Sequence, residues 1–133
     1  MITMENKDQF SDFFRKDNLF AVVGVSQDTS KYGRIVYDDL KKNGYKVTGV
    51  NPNVDTIEDE KIHNSLEEMT DKEPDVVVFV VPPKVVESYL ETCKGMGIDK
   101  IWLQPGSESQ KTIDFCENND IRCLHDRCIM LNL

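Results

Sequence analysis

Short apolar runs alternate along the chain with polar, helix-patterned stretches, and each run ends on a turn signal. Leu19-Phe20-Ala21-Val22-Val23 is continuous and stops at Gly24. Tyr45 to Val50 runs into Asn51-Pro52-Asn53, and Val76 to Val81 into Pro82-Pro83. Ile101-Trp102-Leu103 ends at Gln104-Pro105-Gly106, and Ile121 to Leu124 is the last run. Apolar segments of this length, bounded by Gly, Pro and Asn, read as buried strands. Between them the spacing becomes helical. Phe10, Phe13 and Phe14 lie among charges over residues 5–16, an amphipathic lead-in helix within 1–18. Ile35, Val36 and Leu40 share a face of a helix from Tyr32 to Lys42 that Asn43-Gly44 stops. A helix is expected over Lys84 to Lys94, stopped at Gly95 and Gly97, and another from a Ser107 or Ser109 cap to Asn118-Asn119. Residues 54–64 look irregular or weakly extended, and Ser65-Leu66-Glu67-Glu68 reads as a capped turn.

Strands that are apolar on both faces and joined by helical crossovers belong in a parallel sheet covered on both sides. Right-handed crossovers then make the economical fold class α/β: a Rossmann-like, doubly wound, parallel five-stranded sheet in a three-layer α/β/α arrangement. With no internal repeat, linker or low-complexity segment, residues 1–133 are expected to form one domain.

Composition narrows the function. The chain has 133 residues, 39% hydrophobic, which is enough for a packed core. No run approaches the roughly 18 apolar residues of a membrane span, so no membrane is expected. The N-terminal stretch MITMENKDQF lacks an apolar signal core, and a cytoplasmic location is the expectation. Sixteen basic residues against 24 acidic ones leave a net charge of −8 and no basic stripe, so nucleic acid is not an expected partner. An anionic small molecule is still compatible, because a helix N-terminus makes a local anion site. Cys93, Cys116, Cys123 and Cys128 are expected to be reduced thiols.

Ligands of a doubly wound sheet sit beyond the carboxyl ends of the strands. The loop after the first strand, Gly24-Val25-Ser26-Gln27-Asp28-Thr29-Ser30, leads into Lys31-Tyr32-Gly33 at a helix start. Gly24 would let backbone approach a ligand, Ser26 and Thr29 offer hydroxyls, and the helix offers N–H groups to a phosphate. On the residues alone the same loop reads equally as a strand end followed by a Ser30 cap. The glycine spacing is neither the dinucleotide fingerprint nor a P-loop. The second strand ends in Asn51-Pro52-Asn53, where an NAD site expects an acid for the ribose hydroxyls. Pro82-Pro83 removes backbone donors and forms a rigid apolar lip.

In this order, VVGVSQDTSKYG, GYKVTGVNPN, PDVVVFVVPP and KIWLQPGSES, with the closing HDRCIML, resemble the CoA-binding domain family. That domain is found alone in small bacterial and archaeal proteins, and it resembles the N-terminal part of the succinyl-CoA synthetase alpha subunit. The resemblance runs from about Leu19 to the C-terminus. It implies coenzyme A or an acyl-CoA as ligand. It assigns the phosphate turn to Gly24, Val25, Ser26 and Thr29, with Lys31, Tyr32 and Gly33 opening the helix. It also implies an adenosine side at Val50, Asn51 and Pro52, a pantetheine lining at Val80, Val81, Pro82 and Pro83, and a thiol end at Leu103, Gln104 and Pro105. Asn53-Val54 stand where the family often has a lysine. The protein partner is left open.

Among catalytic alternatives, Cys123, His125 and Cys128 form C-x-H-x-x-C and could bring metal- or thiol-type ligands together. Core cysteines with a polar histidine at a strand end are the plainer reading. His63 reads as a surface histidine. Asp38-Asp39 and Glu67-Glu68 are neighbours that do not share a helix face. The expectation is therefore binding without catalysis, and no metal.

Overall fold

A computed structural model describes residues 11–133. The lead-in helix expected over residues 5–16 lies partly outside the described residues; residues 11–13 are helical and Phe13 is buried. The strands are β1 (Leu19–Val23), β2 (Lys46–Val50), β3 (Thr56–Ile57), β4 (Glu60–Lys61), β5 (Val76–Phe79), β6 (Lys100–Leu103) and β7 (Arg122–Leu124). The helices are α1 (Tyr32–Lys42), α2 (Pro83–Gly95) and α3 (Gln110–Asn118), with 3-10 turns at Leu66–Glu68 and Ile129–Asn132.

Five strands form one parallel sheet in the order β2-β1-β5-β6-β7. The chain thus winds outward on one side through β2, then returns past β1 to build the other side. The topological switch point lies between β1 and β5, where a doubly wound sheet opens its ligand crevice.

Alternation along each strand divides the interior in two. Phe20, Val22, Val76, Val78 and Trp102 face α1, Phe13 and the C-terminal turn at Ile129. Ala21, Val23, Val77, Phe79, Ile101 and Leu103 face the side chains of α2 and α3, among them Val86, Leu90, Cys93 and Cys116. Period-2 alternation with apolar residues on both faces is the signature of a sheet covered on both sides, and it gives the three layers.

The third sheet strand was expected to reach Val81 and ends instead at Phe79. Val80 N–H still bonds Val23 O at 2.9 Å, but the next backbone groups are taken by a side chain. Ser107 Oγ accepts from Val81 N–H at 3.2 Å and donates to Val81 O at 2.6 Å, with Phe79 O at 3.2 Å. Ser109, not Ser107, caps α3, accepting from Thr112 N–H at 3.2 Å. Within 54–64, expected to be irregular, β3 and β4 make an antiparallel hairpin. Its turn uses Glu58 and Asp59 at φ 48° and 70°, a left-handed conformation that the sequence would have advertised with Asn or Gly. No helix among the described residues is long and apolar enough to cross a membrane.

α1 holds to the sheet through Val36, Tyr37 and Leu40, all buried. Leu40 has no exposed surface, so Leu40→Ala should lower unfolding free energy by about 2–5 kcal/mol. Urea denaturation followed by circular dichroism measures it.

Candidate ligand-binding site

The carboxyl ends of β1, β2, β5 and β6 bring the first four loops to one edge of the sheet. Gly24 ends β1 at φ 105°, a conformation that needs glycine. A Cβ there would lie 2.4 Å from Val80 O and 2.7 Å from Val81 Cγ1. A Cβ on Gly33 would lie 2.0 Å from Gly24 O. The close approach that the sequence suggested for a ligand is therefore internal. Gly24 lets the loop after β5 press against it, and Gly33 lets the first turn of α1 sit on the end of β1.

That packing aims the start of α1 at the switch point. Ser30 does not cap the helix as the sequence allowed. Its N–H and hydroxyl both bond Asp28 Oδ1, at 2.9 and 2.7 Å, and hold the Asp28 carboxyl below its ordinary range. The N-cap is Lys31, extended at ψ 145°, and no side chain caps the helix. The first-turn N–H groups thus have no side-chain acceptor and carry the positive end of the dipole, an arrangement suited to an anion. Ser26 Oγ accepts from Asp28 N–H at 3.0 Å and shapes the turn. Thr29 and Lys31 are exposed along it.

Asn51 binds loop to loop. Its Nδ2 donates to Val25 O at 2.7 Å, its Oδ1 accepts from Asn53 N–H at 2.8 Å, and its backbone O accepts from Asn64 Nδ2 at 3.2 Å. Both polar atoms of its carboxamide are engaged, which makes it a brace between the loops after β1 and β2. Pro52 is exposed beside it. Pro82 and Pro83 are the N-cap and first residue of α2, where the missing N–H carries no penalty. The lip they form with the half-buried Val80 and Val81 is thus a helix start. Gln104 is completely buried, and Pro105 next to it is exposed.

Two residues of the site have roles the sequence did not show: Arg34 was not singled out, and Ser107 was singled out only as a candidate helix cap. Arg34 in α1 is buried, with Nε on both oxygens of Asp38 at 3.0 and 3.1 Å, Nη1 on Gln27 O at 3.0 Å and Nη2 on Glu58 at 2.9 Å. It ties the turn after β1 to the β3–β4 hairpin beside a cleft of about 370 Å³ lined by Gln27, Thr29, Thr56 and Glu58. Its i,i+4 relation to Asp38 was the only signal in the sequence. Ser107, described above, joins the ends of β5 and β6. A cleft of about 390 Å³ lies at the amino ends of the strands, among Asp12, Arg15, Asn18, Asp75 and Lys100. It is at the wrong end of a parallel sheet for a ligand.

The C-x-H-x-x-C residues go to separate partners. Cys123 is held above its ordinary pKa by a hydrogen bond with Cys116 and by burial. His125 Nδ1 pairs with Asp126 at 2.6 Å. Cys128 meets Tyr32 Oη at 3.5 Å and Gln104 Nε2 at 3.3 Å. Among the described residues no group of three or more His, Cys, Asp or Glu is placed to hold a metal ion. His63 is not the plain surface residue expected: its Nδ1 is buried with no hydrogen-bond partner, and its backbone bridges to Val50.

The model of the CoA binding domain family matches residues 18–133. The chain belongs to that family. The alpha subunit of an ADP-forming acetate–CoA ligase II from Pyrococcus furiosus is 34% identical over 88 residues, which cover 65% of this chain and 19% of that subunit. A conserved hypothetical protein from Pyrococcus furiosus is similar in structure, with TM-score 0.82 and 40% identity over 87% of this chain and 99% of the other. The apo dinucleotide-forming acetyl-coenzyme A synthetase 1 of Ca. Korarchaeum cryptofilum matches with TM-score 0.66 and 25% identity, over 82% of this chain and 26% of its own. Family and fold thus agree with the α/β, Rossmann-like reading of this CoA-binding domain.

The contact between Gly33 and Gly24 O gives a direct test. Gly33→Ala must push backbone against backbone, so it should destabilise the domain by roughly 1–3 kcal/mol. A denaturation midpoint indistinguishable from the parent would show that the helix start has room to shift.

Proposed function

We propose that this domain binds coenzyme A or an acyl-CoA across the carboxyl ends of β1, β2, β5 and β6, and does not turn it over. The observation that carries the reading is the start of α1, with no side-chain cap and locked by Gly33 onto Gly24 at the switch point of a CoA-binding-family sheet. The pyrophosphate would lie at Ser26 to Gly33, where N–H groups and the helix dipole meet an anion on a chain whose net charge is −8. Pantetheine would run along Val80, Val81, Pro82 and Pro83 toward Gln104 and Pro105, over half-buried apolar surface with few donors. The adenosine would sit by Asn51 and Pro52.

Ligand choice follows from Asn51. Its oxygen and nitrogen are both engaged within the loops, and Asn51-Pro52-Asn53 place no acid at the strand end to take ribose hydroxyls as an NAD site requires. CoA at about 100 times its Kd should stabilise the protein by roughly 2.7 kcal/mol, and NAD or NADP at the same concentration by much less. A thermal-shift titration compares them; equal stabilisation by NAD would overturn the assignment.

Absence of turnover rests on the chemistry at the Gln104 end. Thioester hydrolysis needs a base set against a water or nucleophile; Pro82, Pro83, Gln104 and Pro105 supply no base, and Cys128 beside Gln104 has Tyr32 and Gln104, not a histidine, as its side-chain partners. Acetyl-CoA incubated with the protein should release thiol at the rate of buffer alone. Multiple-turnover release above that rate would make the domain an enzyme.

A further inference from the structure

Cys128 is not in a packed core and does not pair with another cysteine. It is half-buried after β7, and it touches two side chains from opposite ends of the proposed CoA path. Tyr32, from the phosphate-binding helix start, reaches it with its hydroxyl at 3.5 Å, and Gln104, from the thiol end, with its amide nitrogen at 3.3 Å. Gln104 has no freedom to turn away. It is completely buried, and its Oε1 accepts from Ile129 N–H at 2.6 Å, which fixes the nitrogen on the sulfur side.

The Gln104 amide donates to the sulfur, and toward a thiolate the Tyr32 hydroxyl can only donate as well; donors favour the thiolate over the thiol. Burial opposes ionisation of Cys128. The Gln104 amide, the Tyr32 hydroxyl and the backbone N–H groups of Met130 and Leu131 outweigh it and bring the thiol below its ordinary value. The tyrosine responds in kind, its own ionisation being opposed chiefly by its bond to Cys128. The other thiols differ. Burial pushes Cys93 up to about 12, and Cys116, lowered by its hydrogen bond with Cys123, is buried in the core where no ligand reaches it.

We propose that Cys128 is a thiol–disulfide exchange site for a CoA disulfide, an inference that rests on CoA binding as read above. The Cys128 thiolate attacks one sulfur of CoA disulfide, the S–S bond of that molecule breaks, and a Cys128–CoA mixed disulfide forms. The departing CoA thiolate takes a proton from water. One disulfide is consumed and one is made, so no further oxidant enters. The structure favours this over acyl transfer from a thioester. Exchange between sulfurs needs a reachable thiolate and a good leaving thiol, whereas acyl transfer needs donors aimed at a developing oxyanion. The Tyr32 and Gln104 donors are aimed at the sulfur itself.

The test treats the reduced full chain with CoA disulfide and, separately, with glutathione disulfide at the same concentration. Adducts are followed by intact mass and located by peptide mapping, and stabilisation by reduced CoA is measured alongside. The expected result is one CoA adduct on Cys128, formed at least tenfold faster than the glutathione adduct and slowed by excess reduced CoA. Cys128→Ser should abolish it; mapping on the unmodified sequence keeps the result independent of that variant's folding. Equal rates with the two disulfides, or an adduct on another cysteine, would overturn the proposal. So would no adduct in a protein that reduced CoA stabilises, and that outcome would leave CoA binding standing. No stabilisation by reduced CoA would instead remove the reading beneath it.

Discussion

The contact on which the site depends is backbone to backbone, between the first turn of α1 and the end of β1. Two residues without side chains make it possible, and each is irreplaceable for its own reason. Gly24 adopts φ 105°, and Gly33 has a carbonyl oxygen where its Cβ would be. From this contact follow the direction of the α1 dipole, the position of the turn from Val25 to Ser30, and the approach of Val80 and Val81 from the neighbouring strand. The energy that holds α1 in place comes from elsewhere, from Val36, Tyr37 and Leu40 buried on the sheet. Apolar burial supplies the stability, and the two glycines decide what that stability points at.

Much of this was legible in the chain because parallel strands buried on both faces leave a distinctive record: short, continuous, apolar, ended by Gly, Pro or Asn. The five sheet strands were read within two residues at either end. The hairpin at β3–β4 was not, since its strands are only two residues each and its turn sets Glu58 and Asp59 in a conformation those residues seldom adopt. Similarly, the loop residues at the strand ends were identified by position, but what they do with their polar atoms was not. Ser30 turned toward Asp28 instead of capping, and Asn51 toward Val25 and Asn53. Hydrogen bonds between loops far apart in sequence follow from the topology, and no local pattern encodes them. Cys128 illustrates the same limit: as part of C-x-H-x-x-C it suggested a metal set, while its contacts are with Tyr32 and Gln104, far away along the chain.

Three carboxylates stand around the turn that leads into α1, each with a partner. Asp28 lies within it, but its carboxylate is occupied by Ser30. Asp38 and Glu58 lie close, and both are engaged by the buried guanidinium of Arg34. These two carboxylates are well exposed, so their ion pairs add little stability. The one guanidinium offsets only one of these two charges, and Asp28 stays ionised within its bonds to Ser30, so the positive end of the α1 dipole works against part of this negative charge.

Ser107 has a consequence for how the domain meets a ligand. By bonding Phe79 O and both backbone groups of Val81, it rivets the rim after β5 to the rim after β6. The relative position of the two rims is fixed by the fold itself. It means that little loop ordering remains to be done on association, so the entropy lost is mainly that of the guest's own flexible chain.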